Sequence, residues 1–290
     1  MAQYCIADVT IDIDTDSGLM TDRCGLFQAS EPGPPDLNIV LRQSDRIEKP
    51  EGEVLSTQVI NWILRSGGHY LYTTEMDFGQ VLTLADVDTR WQQGKISYLN
   101  HGDRRPEVNY SFQTGVYTHI LIGVLFRYHL LHRDGIVLHA STIDWNGKGI
   151  LFSAPSGTGK STHVRLWQQL YGSQVRVLND DTPAIRIKEG VPWVYGTPWA
   201  GSSDIHCNGS APAAAIVVLE QAPENQIRRL SPQEAILRLM PRAFLPYFDQ
   251  DMLDLACGIL ERIVAAVPVY LLKCRPDFEA VEMVHQCITA

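Results

Sequence analysis

The stretch LFSAPSGTGKSTHVRLW, residues 151–167, limits the fold more than any other. An apolar run breaks into a glycine-rich turn, the turn ends in Lys160-Ser161, and apolar residues then resume at helical spacing. A strand that passes through such a turn into a helix is the context of the G-x-x-x-x-G-K-[ST] phosphate loop, the Walker A pattern. Here Ala154 stands at the first glycine position, and Gly159, Lys160 and Ser161 complete the pattern. Gly157 and Gly159 let the backbone curl so that several N–H groups face one anion, and the following helix adds the positive end of its dipole. Lys160 reaches outer phosphates and the Ser161 hydroxyl suits Mg²⁺. Ser156, Gly157, Thr158, Gly159, Lys160, Ser161 and Thr162 are therefore the expected nucleotide-binding residues.

Two further segments bear on the same chemistry. In VLNDDTPAI, residues 177–185, a strand ends in Asn179-Asp180-Asp181. Of two adjacent carboxylates at a strand's carboxyl end, one can hold a metal or its waters and the other can take a proton from an attacking hydroxyl. In VLHASTID, residues 137–144, His139 lies in the strand before the loop-bearing strand. Strands that flank such a loop converge at its end, which can bring His139 beside Asp180; a satisfied core or edge histidine is the other reading.

Around these motifs the pattern is α/β with a mostly β N-terminal region. Residues 4–13 alternate apolar and polar as one half-buried strand, and short strand-like runs follow at 69–74, 81–85, 95–100 and 108–113. Residues 55–64 suit either strand or helix. Helical spacing begins at 116–134. Strands are then expected at 135–144, 147–154, 174–180, 214–222 and 267–274, with a hairpin over 183–196 turning at Glu189-Gly190. Helices are expected at 159–171, 231–242, 249–266 and 276–288. This divides the chain into a β-rich part, 1–112, suited to acceptor recognition, and a nucleotide-binding domain, 113–290.

Composition excludes some functions. The formal net charge of −9 argues against a nucleic-acid partner, because phosphate backbones need a basic surface. No apolar stretch reaches the length of a membrane span, and HILIGVLFRYHLLH (119–132) is interrupted by Arg127 and histidines. The N-terminus has no signal-peptide pattern, and none of the six cysteines forms a C-x-x-C pair or zinc spacing. A reduced, cytoplasmic protein is expected, and a homo-oligomer is compatible with the sequence. His129 and His132 lack a third ligand nearby, so they are not read as a metal site. Arg165, Arg228, Arg229 and Lys148 read as surface charges.

Together, His139 to Asp144, the S-G-x-G-K-S loop (Ser156 to Ser161) and the Asp180-Asp181 strand end resemble the HPr kinase/phosphorylase family. That family shares its phosphate-loop core with ATP-dependent phosphoenolpyruvate carboxykinase. The resemblance covers about residues 135–190, is weak over 191–275 and is absent before 110. It implies that core fold, with ATP and Mg²⁺ at the loop. It implies Asp180 as base, with His139 beside it and Lys160 on the phosphates, and Ser161 with Asp181 at the metal. The reverse division of the two aspartates is the alternative. The glycine-rich signature that follows the Asp-Asp pair in HPr kinases is missing, which sets HPr aside as acceptor. YGTPWAGSSDIHCNG, residues 195–209, stands in its place. It is similar to a wider group of HPr-kinase-like proteins, some of which phosphorylate serine in a peptide.

In that loop, Gly196 and Gly201 allow turning, Pro198 stiffens it and Trp199 offers a flat wall. Thr197, Trp199 and Gly201 are the expected acceptor contacts, with a polar surface loop around one buried Trp as the other reading. The function expected is transfer of the γ-phosphoryl of ATP to a hydroxyl, either Ser or Thr of a peptide or protein or a small hydroxylated molecule. A non-catalytic nucleotide-binding regulator is the alternative. A carboxykinase-like lyase ranks below both, because no dicarboxylate-binding set is evident.

Overall fold

Strands in the N-terminal part follow from alternation. Val9, Ile11 and Ile13 are buried while Thr10 and Asp12 are half-buried, and Leu37, Ile39 and Leu41 repeat the pattern. The computed structural model describes residues 2–15, 22–57, 60–74, 79–100 and 110–289. The chain divides into two units, Met1–His132 and Arg133–Ala290.

The first unit holds an eight-stranded sheet. Its strands are β1 (Ala2–Ile6), β2 (Val9–Thr15), β3 (Leu37–Ser44), β4 (Glu53–Thr57), β5 (Asn61–Arg65), β6 (Gly68–Thr74), β7 (Val81–Asp88) and β8 (Gln93–Leu99). Their order is β1-β2-β3-β8-β7-β6-β5-β4, with β3 parallel to β2 and β8 and the other pairs antiparallel. The single strand expected over 4–13 is a hairpin. Ala7 and Asp8 both take positive φ, which matches the twist of two paired strands. The ambiguous segment 55–64 contributes to two strands.

A short helix, α1 (Asp22–Gly25), and a long one, α2 (Tyr110–Leu131), complete this unit. Residues 110–113, expected as strand, are the first turn of α2; 108 and 109 lie outside the described residues. Helix α2 packs on β3, β7 and β8. It comes so close that a Cβ on Gly94 would meet Leu125 Cδ2 at 2.2 Å. That packing places the division between units after His132, rather than at 112/113. His129 Nδ1 lies 3.1 Å from the Trp91 carbonyl oxygen, inside a cluster of Trp62, Trp91 and Tyr128. It is a buried core histidine.

The second unit is built on a nine-stranded sheet. Its strands are β9 (Gly135–Val137), β10 (Ala140–Trp145), β11 (Lys148–Ser153), β12 (Val175–Asn179), β13 (Ala184–Lys188), β14 (Val191–Tyr195), β15 (Ser210–Gln221), β16 (Gln226–Arg229) and β17 (Val269–Cys274). The main path is β12-β10-β11-β15-β14-β13-β9, and β17 joins β15 to β16. Glu189 and Gly190 turn the β13–β14 hairpin with positive φ at both. Strand β15, buried from Ala215 to Leu219, is parallel to both β11 and β17. Arg228 and Arg229 lie on β16, an edge strand paired with β17.

The helices are α3 (Lys160–Tyr171), α4 (Pro232–Leu239), α5 (Gln250–Ala266) and α6 (Phe278–Thr289). Helices α3 and α6 share a core with the sheet in which Phe152, Val164, Trp167, Val217, Leu272 and Val281 are buried. No described helix is long and apolar enough to cross a membrane. None of the six cysteines is in a disulfide.

Candidate functional site

Strand directions bring the motifs together. β10 runs antiparallel to both β11 and β12, so its first residues lie where those two strands end: Ala140 pairs Ser153 and Thr142 pairs Asn179. The loop after β11, the aspartates after β12 and the residue before β10 therefore share one sheet edge. His139 is that residue. The sequence reading placed it within a strand, but the chain breaks between β9 and β10 at Leu138-His139. Its N–H donates to the Arg242 carbonyl at 2.7 Å and the Ala140 N–H to the Asp181 carbonyl at 3.0 Å.

Gly157 and Gly159 take φ of 77° and 114°, values that side chains disfavour. Ala154 has no such conformation. It is 1% exposed and its methyl belongs to the core cluster with Phe152 and Trp167, so glycine is not needed there. Helix α3 starts without a side-chain cap. By contrast Ser231, Asp249 and Asp277 cap the first N–H groups of α4, α5 and α6. The start of α3 is held by packing instead, chiefly Val164 and the fully buried Trp167. Uncapped N–H groups at a packed helix start are set to meet an anion.

A cleft of about 340 Å³ lies at this edge. His139, Ser156, Gly157, Gly159, Lys160, Ser161, Thr162, Asp180, Asp181 and Gly201 line it, together with Arg165, Ala200, Ser202 and Ser203. Lys160 is only 8% exposed; its Nζ lies 3.2 Å from His139 Nε2 and donates to the Ala154 carbonyl at 3.3 Å. Burial pushes the Lys160 ammonium below the ordinary lysine range. Asp181 and Asp180 oppose that shift and Arg242 adds to it. His139 Nε2 is also 3.3 Å from Asp181 Oδ1. Unprotonated, Nε2 accepts from Lys160; protonated, it donates to Asp181.

The two carboxylates differ. Asp180 is buried, and its Oδ1 accepts a hydrogen bond from Ser141 Oγ at 2.6 Å. The Asp181 side chain is 35% exposed and faces His139. Asn179 fixes the turn between them: its Oδ1 accepts from the N–H groups of Asp181 and Thr182, at 2.8 and 2.7 Å. Its Nδ2 donates to the carbonyls of Thr197 and Trp199, at 2.9 and 3.3 Å.

That staple ties the 195–209 loop to the aspartate turn. Thr197 is fully buried, does not line the cleft, and donates its hydroxyl to the Thr182 carbonyl at 2.8 Å. Trp199 does not line the cleft either; its carbonyl accepts from the Thr182 hydroxyl and Asn179. Gly201 does line it, with φ of 60°, and a Cβ there would meet Asp181 Cγ at 2.9 Å. Ser202 and Ser203 are the side chains that this loop presents to the cleft.

For Arg165 the sequence favours an exposed charge, with contact to a phosphate as the other reading. It is exposed, yet it lines the cleft and donates to the Ser161 carbonyl and the Thr162 hydroxyl. Ser141 and Arg242 were not singled out. Ser141 lies on a strand of apolar character, and Arg242 comes 61 residues after Asp181, so no local pattern marks either. Among the described residues no group of three or more His, Cys, Asp and Glu is arranged to hold a metal. The donor set of Ser161 and one aspartate suits a Mg²⁺ that keeps waters and phosphate oxygens as its other ligands.

Residues 116–285 match the family model of the SynChlorMet cassette protein ScmC. Among solved structures the chain is similar to the Hpr(Ser) kinase/phosphatase from Coxiella burnetii. The two are 12% identical, the match covers 53% of this chain and 97% of that one, and the TM-score is 0.32. No curated protein matches the sequence.

Proposed function

We propose, for a chain that belongs to the SynChlorMet cassette protein ScmC family, that the second unit is an ATP- and Mg²⁺-dependent phosphotransferase acting on a hydroxyl. One observation carries the reading. Lys160 is nine-tenths buried at the uncapped start of α3, on the same cleft as His139, Asp180 and Asp181. A buried cation opposite two carboxylates, beside unbonded helix N–H groups, suits a ligand that brings both phosphate charge and a metal. The acceptor is Ser or Thr of a peptide or protein, or a small hydroxylated molecule.

The chain's part is positioning and charge. The N–H groups of the glycine loop and Lys160 hold the outer phosphates. Ser161 and Asp181 hold Mg²⁺, which when bound neutralises charge on the transferring group. Ser141 orients Asp180, leaving Oδ2 to take the proton of the acceptor hydroxyl. His139 Nε2 lies between Lys160 Nζ and Asp181 Oδ1 and bonds one or the other according to its protonation.

The test is phosphate transfer, or ATP hydrolysis where no acceptor is supplied, in the presence of Mg²⁺. Lys160→Ala should lower the rate by about 10²–10³ with the fold retained. Full turnover in that variant would sink the assignment.

A further inference from the structure

Two more clefts adjoin the glycine loop, and Thr158 lines both. The first, about 440 Å³, has Pro155, Leu237 and Arg242 among its walls and shares no residue with the polar cleft. The second, about 400 Å³, shares Gly157, Gly159 and Thr162 with the polar cleft. Those shared residues lie at the start of α3, so the second cleft opens onto the polar cleft there. Neither aspartate lines the second cleft.

Building on the phosphotransferase reading, we infer that this second cleft is the nucleobase subsite, shaped for the flat, uncharged ring of the nucleotide. Leu219, Ala222 and Pro276 give it apolar walls. Its titratable groups carry little net charge. The Trp167 indole N–H donates to His163 Nε2 at 3.3 Å, and burial pushes the Cys274 thiol up to about 11, so the thiol is neutral near pH 7. Arg275 is neutralised by Asp277 and Glu279, at 3.0 and 3.3 Å. A neutral apolar slot that opens onto a phosphate cradle recognises a base by burying its faces. The first cleft presents Arg242, whose charge adds to the lowering of Lys160, and suits a charged group better than a base.

The experiment is calorimetric titration of the full chain with Mg–ATP and with Mg–tripolyphosphate, which carries the phosphates and no base. Ala222→Trp fills the second cleft, Pro276→Tyr crowds its exposed lip, and Leu237→Trp crowds the first cleft as a control. A melting curve accompanies each variant. The expected result is a rise of at least about tenfold in Kd for Mg–ATP in both Ala222→Trp and Pro276→Tyr. Their Kd for Mg–tripolyphosphate should stay within about twofold, and Leu237→Trp should change neither. Unchanged Mg–ATP binding in the first two variants overturns the subsite. So does equal loss of both ligands in folded variants, or selective loss of Mg–ATP in Leu237→Trp, which would place the base in the other cleft. If the unaltered chain binds neither ligand, the phosphotransferase reading falls first and the subsite with it.

Discussion

Replacing Gly201 by alanine tests whether the geometry of Asp181 matters for activity. Gly201 takes φ of 60°, where an L-residue with a Cβ is strained by about 1–2 kcal/mol. The added Cβ would also lie 2.9 Å from Asp181 Cγ and 3.0 Å from Oδ2. The Asp181 side chain is 35% exposed, so it can swing aside toward solvent rather than clash. The stability loss should therefore stay near the backbone strain alone. For a unit of this size that is a fall in Tm of about 2–8 °C. The functional loss should be larger, because the displaced carboxylate leaves both His139 and the proposed metal position. ATP turnover measured against Mg²⁺ concentration should fall at least about tenfold, with the half-saturating Mg²⁺ raised, as expected for a lost metal ligand. Unchanged turnover and Mg²⁺ dependence, with the Tm drop present, would show that Asp181 does not need its observed position. Unchanged Tm would refute the strain argument itself.

Further tests follow from neighbouring residues. Asp180→Asn should abolish the chemical step while Mg–nucleotide affinity is kept, whereas Asp181→Asn should raise the Mg²⁺ requirement; the opposite pattern exchanges their roles. Thr197→Val removes a buried hydroxyl that serves the Thr182 carbonyl, so it should cost about 1–3 kcal/mol by denaturant unfolding. A large change in acceptor KM without loss of stability would instead restore Thr197 as an acceptor contact. His163 is held down to about 4 from 6.5 by burial, so between those values the unfolded chain binds the extra proton. Its contribution is present above pH 6.5 and is lost as pH falls toward 4, by up to about 3 kcal/mol. In His163→Gln the slope of Tm against pH over that window should flatten.

The parts of the site legible in the sequence are those whose signal is local. The glycine loop and α3 lie in one continuous stretch, and the Asp180-Asp181 pair ends a strand of clear apolar pattern. What was not legible depends on partners distant in the chain. The break at Leu138-His139 is invisible in VLHASTID, because it is made by hydrogen bonds to Pro183, Arg242 and Asp181. Thr197 has the composition of a binding-loop residue, and only its burial against Thr182 and Asn179 gives it a structural role. Ala154 looked like a departure from the motif; packing shows that the position has no need of glycine. The turn at Ala7-Asp8 was missed because neither residue is a glycine, although both adopt glycine-like φ.

The Asn179 side chain joins two loops with one amide, its oxygen on the carboxylate turn and its nitrogen on the loop of Thr197 and Trp199. This limits how such a chain can diversify. A substitution at 197 that removes the hydroxyl would also disturb the turn that carries Asp181, because that hydroxyl accepts from Asn179 Nδ2 and donates to the Thr182 carbonyl. Ser202 and Ser203 face the same cleft and lie outside that clasp. Variation among acceptors should accumulate there, and a library built to redirect the protein should randomise those two positions while keeping Asn179, Thr182 and Thr197 constant.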